Sequence, residues 1–180
     1  MTGFMHRAAT QDDIPAITAL MARAIDRLQD AFLTPAQVVA SRAVMGLDTQ
    51  LIADRTYVVV HDSDGALVGC GGWSQRATLY GGDHSVSLRD AALLDPATDA
   101  ARIRAMYTDP DRARQGIGRL ILSICESAAR DAGYPRAEMM ATLAGEPLYR
   151  ACGYAPIERI ATPGHVPVPL VRMGKTFPSS

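Results

Sequence analysis

The sequence predicts an α+β domain, and three observations carry that expectation. Apolar residues recur at helical spacing over residues 14–28, two β-branched runs flank a tight turn at 62–65, and a strand, a glycine loop and a long helix follow one another between 101 and 133. The 180 residues fit one domain spanning 1–180, long enough to bury a core without disulfides or structural metal. Hydrophobic and charged fractions of 48% and 21% are those of a globular chain, which excludes disordered and fibrous classes.

A short strand at 5–9 leads to Thr10, whose hydroxyl is placed to cap a helix beginning near Asp12; Ile14, Ile17, Leu20, Met21, Ala24, Ile25 and Leu28 form its apolar stripe. Thr34-Pro35 reads as a second cap with proline in the first turn, opening a helix that runs to about Met45 and stops at Gly46. Residues 56–61 and 67–74, joined by Asp62-Ser63-Asp64-Gly65, predict an antiparallel hairpin. Periodicity fades over 76–99, as in a long loop of the kind that borders sites. Alternation over 101–108 predicts a strand with Ala101, Ile103, Ala105 and Tyr107 on one face and Arg102, Arg104, Met106 and Thr108 on the other. The glycine-led helix ends at Gly133. A strand at 136–142, a short helix at 147–152 and one or two strands within 157–175 complete the chain.

Eighteen basic and 19 acidic residues leave a net charge of −1, so there is no global pull toward nucleic acid or an anionic membrane. The basic set is 17 arginines and Lys175, with no asparagine in the chain, a bias that reads as codon composition. Cys70, Cys125 and Cys152 are odd in number and lack C-x-x-C spacing, as expected of reduced packing thiols. No segment has the ~18 apolar residues of a membrane span, and residues 1–13 contain no apolar stretch, so a cytoplasmic location is expected. The scattered histidines and absence of H-E-x-x-H give metal catalysis no support, and Gly72-Trp73-Ser74-Gln75-Arg76 departs from G-x-S-x-G at its last position.

A glycine loop entering a helix leaves backbone N–H groups unpaired at the positive end of the helix dipole, an arrangement suited to phosphate. Arg112, Arg114 and Arg119 add charge there. A Walker loop would need a lysine after its last glycine, and the only lysine is Lys175; a dinucleotide fingerprint would need a third glycine where Ile121 stands.

Tyr107-Thr108-Asp109-Pro110-Asp111-Arg112-Ala113-Arg114-Gln115-Gly116-Ile117-Gly118, followed by a helix, a strand and Leu148-Tyr149-Arg150-Ala151-Cys152-Gly153-Tyr154, resembles the GNAT superfamily of acyl-CoA N-acyltransferases, with element order agreeing over nearly the whole chain. The resemblance implies a GNAT-like three-layer α/β/α fold with a mostly antiparallel, splayed mixed sheet, and acetyl-CoA as co-substrate. It implies that Ala113, Arg114, Gln115, Gly116, Ile117, Gly118 and Arg119 hold the CoA pyrophosphate. Met106, Tyr107 and Thr108 would pair their backbone with the pantetheine arm, an amide near Met106 would bind the thioester oxygen, and Tyr149 would donate a proton to the departing thiolate. The implied acceptor is an amine on a small molecule or peptide, and homodimers are common in the family.

The sequence departs from the family pattern at three places. Ala113 stands where Arg or Gln is usual, Leu143 where many members carry an asparagine against the cofactor and Glu146 where an alanine often follows, and Arg102 where some members carry a glutamate base. An amine of pKa ~10.4 must lose a proton before it attacks. Glu138, His84, Asp83 and a water chain are the open choices for taking it. Arg102 and Arg104 together require either solvation or an anionic partner, the latter suggesting an acceptor with a carboxylate or phosphate. Trp73 is either an acceptor-pocket wall or core. The alternative of another class is a non-catalytic acyl-CoA-binding sensor.

Overall fold

In the computed structural model, which describes residues 3–179, the β-branched runs assemble into one seven-stranded sheet. Its strands are β1 (Met5–Ala8), β2 (Tyr57–His61), β3 (Leu67–Ser74), β4 (Ala101–Thr108), β5 (Arg136–Thr142), β6 (Ala155–Ala161) and β7 (Pro169–Thr176), in the spatial order β1-β2-β3-β4-β5-β7-β6. The β4–β5 pair is parallel and every other pair antiparallel. The helices are α1 (Ile14–Leu28), α2 (Pro35–Ser41), α3 (Thr49–Ala53), α4 (Ile117–Asp131) and α5 (Glu146–Ala151). No helix among the described residues is long and apolar enough to cross a membrane.

Each face of the sheet has its own core. The stripe of α1, from Ile17 to Ile25, packs with Tyr57, Val59, Cys70 and Tyr107. On the opposite face Ile117, Ile121, Leu122 and Cys125 of α4 pack with Val60, Val68, Ile103 and Met139. Burying a side chain of this size contributes ~1.5–3 kcal/mol, so the two amphipathic helices account for most of the attachment of the outer layers. The glycines of β3 set how closely α4 can lie. A Cβ at Gly69 would stand 2.5 Å from Ile117 Cγ2 and one at Gly71 2.6 Å from Ile121 Cγ2, so bare backbone lets the helix rest on the strand.

Several local expectations need adjustment. A 3-10 turn, Gln11–Asp13, precedes α1, and the Thr10 N–H donates to the Asp13 carboxylate at 2.8 Å. At α2 the capping box forms, with the Gln37 N–H on Thr34 Oγ1 at 3.2 Å and the Thr34 N–H on Gln37 Oε1 at 3.0 Å. The expected extension to Met45 does not occur. The Ser41 hydroxyl turns back onto Val38 O, and i→i+3 bonds from Arg42, Ala43 and Val44 tighten the chain out of the α-helix. Asp48 then caps α3, a helix the sequence reading lacked, by accepting the Gln50 N–H at 3.0 Å. Residues 76–99 are irregular apart from a 3-10 turn, Val86–Leu88, and a bridge between Arg76 and Leu93. The tail forms two strands.

Candidate active site

The sheet opens at its centre. β4 and β5 pair only at Ala101 with Ala137 and Arg102 with Glu138, after which β4 has no strand partner on that side. On its other side β4 carries a bulge: Cys70 lies opposite Tyr107 and Gly72 opposite Arg104, leaving Ala105 and Met106 against Gly71. Ala105 takes the left-handed φ of +50°. The extra residue corrects the expected alternation. Ile103 faces the α4 core, but Tyr107 faces the α1 core, and Met106 turns toward the α4 side.

Two phenols hold the bulge. Tyr57 Oη donates to Ala105 O at 2.7 Å, and the Gly46 N–H donates to Tyr107 Oη at 2.9 Å. Burial pushes both phenol pKa values up, so both stay protonated and act as fixed dipoles. Gly71 allows this packing, because a Cβ there would meet Met106 Cγ at 2.7 Å.

From the splay a cleft of about 710 Å³ runs to the glycine loop, with Met106, Thr108, Gly116, Gly118 and Tyr149 along it and Leu28 and Phe32 opposite. Gly116 is the N-cap of α4 at φ +84°, Arg114 is also left-handed at +63°, and no side chain caps the helix. The N–H groups of its first turn, at Ile117, Gly118 and Arg119, therefore open outward. Ala113, Arg114, Gln115, Gly116 and Arg119 are exposed around them. Arg112, expected to add charge here, instead donates at 2.8 Å to buried Asp62, which also accepts the N–H groups of Asp64 and Ala66 in the hairpin turn. The loop is braced from α1 as well, through Arg23 to Asp109 at 3.3 Å and Arg27 to Asp111 at 2.9 Å. Arg114 and Arg119 have no carboxylate partner among the described residues, so the local charge is theirs.

Tyr149 stands where α5 meets the splay. Its Oη lies 3.9 Å from Met106 Sδ, its ring meets Tyr154 edge-on at 6.3 Å, and burial raises its phenol pKa above the ordinary value. All ten positions expected to hold the cofactor lie on the β4 end or the glycine loop, and the structure brings Met106 and Tyr149 together. Gly118 sits beneath α5, where a Cβ would stand 2.7 Å from Leu148 Cδ2.

The residues considered as bases lie elsewhere. Glu138 accepts from Arg172 at 2.8 Å and Arg102 at 3.3 Å, His84 Nε2 lies 2.6 Å from Arg42 O, and Asp83 accepts the Thr49 N–H at 2.9 Å. None of them lines the cleft. The anion expected near Arg104 is internal: its guanidinium, 3% exposed, donates to Asp48 at 3.0 Å and to Gly81 O at 2.7 Å. Desolvation lowers the Arg104 pKa from its usual value, and Asp48 opposes that shift. Trp73 is core, edge-on to Tyr134 at 6.0 Å. Leu143 packs against the core, and Glu146 is paired with Arg150 and Arg159. Sequence reasoning missed Tyr57, Gly46 and Asp48; of these only Asp48, preceding Thr49-Gln50, carried a local signal, that of a helix cap.

The fold is shared widely. A GCN5-related N-acetyltransferase from Rhodopseudomonas palustris superposes with a TM-score of 0.70 at 17% identity, over 98% of each chain. The PaiA N-acetyltransferase of Thermoplasma acidophilum, in complex with coenzyme A, gives 0.64 at 9% identity over 97% of this chain and 99% of that one. The ribosomal-protein-S18-alanine N-acetyltransferase of Escherichia coli gives 0.59 at 14%, over 99% and 96%. No curated protein matches by sequence. The model of the acetyltransferase (GNAT) domain matches residues 53–156, more than half the chain and the stretch holding the splay, glycine loop and Tyr149, so this protein belongs to the GNAT family of acetyl-CoA-dependent N-acetyltransferases.

Proposed function

We propose that the protein moves an acetyl group directly from acetyl-CoA to the primary amine of a small molecule or peptide, and that residues 1–180 act as one domain in doing so. One observation carries the reading: an unpaired strand edge, an uncapped helix N-terminus and a half-buried phenol line a single cleft. The first-turn amides of α4, with Arg114 and Arg119, bind the pyrophosphate. This contact is made by backbone, which is why Ala113 is tolerated where a longer side chain is usual. The open edge of β4 at Met106, Tyr107 and Thr108 hydrogen-bonds the pantetheine amides and sets the thioester beside the bulge.

Attack by the amine lone pair on the thioester carbon places negative charge on its oxygen, and a backbone N–H of the bulge at Met106 receives it. One well-aimed donor of this kind is worth about 3 kcal/mol of barrier. As the C–S bond breaks, Tyr149 Oη donates to the sulfur. A thiol has a pKa near ~8.5 and the half-buried phenol, raised by desolvation, sits above ~10, so Tyr149 supplies mainly a strong hydrogen bond rather than a complete proton.

Calorimetric titration with acetyl-CoA and with CoA, in the wild type and in Gly118→Trp, tests the reading. Micromolar binding weakened at least about 100-fold in the variant is the expected result, since the indole would fill the space between the helix N-terminus and Leu148. No binding by the wild type at millimolar cofactor would overturn the proposal.

A further inference from the structure

Past Tyr149 the cleft narrows and continues as a chamber of about 90 Å³ between the splayed strands, roofed by residues 44–46 and 79–81. The chamber and the cleft share Met45, Met106, Tyr107, Thr142 and Tyr149. With the pyrophosphate loop at the far end of the cleft, the shared neck is where the thioester would lie. The chamber is then the space from which the second substrate reaches it.

Its walls are Val44, Leu79, Ile103, Met139, Met140 and Leu170, and no Asp, Glu or His lines it among the described residues. The one charged group in the wall, Arg104, is spent on Asp48 and on the carbonyls of Gly81 and Thr78. A carboxylate on the acceptor would find no free cation, and a second ammonium would find no anion. The hydroxyls of Tyr80 and Tyr149 take no N–H of the protein and are left to orient a single nitrogen, whereas Thr142 Oγ1 accepts the Gly145 N–H at 3.1 Å and Tyr107 Oη that of Gly46. The volume is below the ~150 Å³ of an apolar cavity that takes up benzene, but the chamber opens into the neck, and methionines repack around aromatic rings.

Resting on the transferase reading above, we infer that the acceptor is a compact monoamine with an apolar body, a single ring or short branched chain, seated in this chamber with its nitrogen toward Met106 and Tyr149. The same walls account for the lack of a carboxylate base. An ammonium entering the chamber exchanges its water for neutral hydroxyls and meets no anion, so the neutral, nucleophilic amine is the form that binds. Its first proton is left in bulk water before entry, and the proton released after attack goes to the departing thiolate, so that CoA leaves as the thiol.

The test compares benzylamine and isoamylamine with spermidine, lysine, glutamate and a lysine-containing peptide, following CoA release from acetyl-CoA. The inference expects kcat/KM at least 100-fold higher for the two apolar amines. It also expects Met140→Glu to lower their kcat/KM at least tenfold and raise that of spermidine, with acetyl-CoA affinity by calorimetry unchanged as the check on folding. Leu79→Glu repeats the test from the opposite wall. Faster turnover of spermidine, lysine, glutamate or the peptide would overturn the inference. So would preference for hexanoyl-CoA over acetyl-CoA with no dependence on amine size, which would make the chamber an acyl pocket. Acetyl-CoA binding without turnover of either apolar amine would overturn it while leaving the cofactor site standing; absence of acetyl-CoA binding would remove the transferase reading itself.

Discussion

The two sides of the splay are made of different material. On the glycine-loop side the groups offered to a ligand are backbone amides, on β4 and at the start of α4, and the side chains around them are exposed. On the chamber side they are side chains, fixed by a buried ion pair and by loop 76–99. A backbone site needs conformation more than identity, so it requires Gly116 at φ +84° but accepts Ala113. A side-chain site encodes its ligand in each wall residue. The first kind of site depends mainly on the fold, which structures at 9–17% identity share, and the second depends on residue types.

If that contrast holds, the two sides fail differently when cut. The largest effect is expected for Asp48→Ala, which strands the Arg104 guanidinium at 3% exposure and also removes the 3.1 Å partner of Arg89. Breaking a buried pair from one side costs about 3–5 kcal/mol. Urea unfolding should show that loss. If the variant is destabilised by less than about 1 kcal/mol, water must reach Arg104 and the chamber is not the closed wall described here.

Tyr149→Phe should act on chemistry with little effect on either side's construction. We expect kcat to fall about 10²-fold, as for the loss of one strong hydrogen bond to the departing sulfur, with acetyl-CoA affinity unchanged. Because burial raises the phenol's pKa, no alkaline limb belonging to Tyr149 should appear in the wild-type profile below about pH 10. A rise in Kd matching the fall in kcat would make Tyr149 a packing residue.

The same contrast explains what could be read from the chain. The glycine loop and its helix were legible because their signals are local: two glycines, a run of arginines and an apolar stripe lie within a short stretch, whereas Tyr149 was singled out only through the resemblance to a family. The bulge was not legible. It sits at Ala105, a residue whose type gives no hint of φ +50°, and it is held by Tyr57 and Gly46 from remote parts of the sequence. Arg104 could be recognised as needing a counter-charge, but its partner lies 56 residues away, and no spacing rule joins them. Glu138 looked available as a base for the same reason: the arginines that occupy it come from β4 and β7.

A second ion pair sharpens the point about burial at smaller scale. Arg7 and Asp13 meet at 2.7 Å, but Arg7 is half-exposed, unlike Arg104. The hydrogen bond from Arg7, assisted by the Thr10 N–H, lowers the Asp13 pKa to about 2 against some desolvation. The folded value therefore lies below the unfolded value of ~3.9, so the contribution is present above about pH 4 and is lost as pH falls toward 2. Water screens the pair, which limits it to about 1 kcal/mol. Arg7→Ala should thus cost about that much at pH 7, and its unfolding free energy should converge with the wild type only below about pH 2. A difference that persists well below pH 2 would mean that the arginine stem contributes more than its charge.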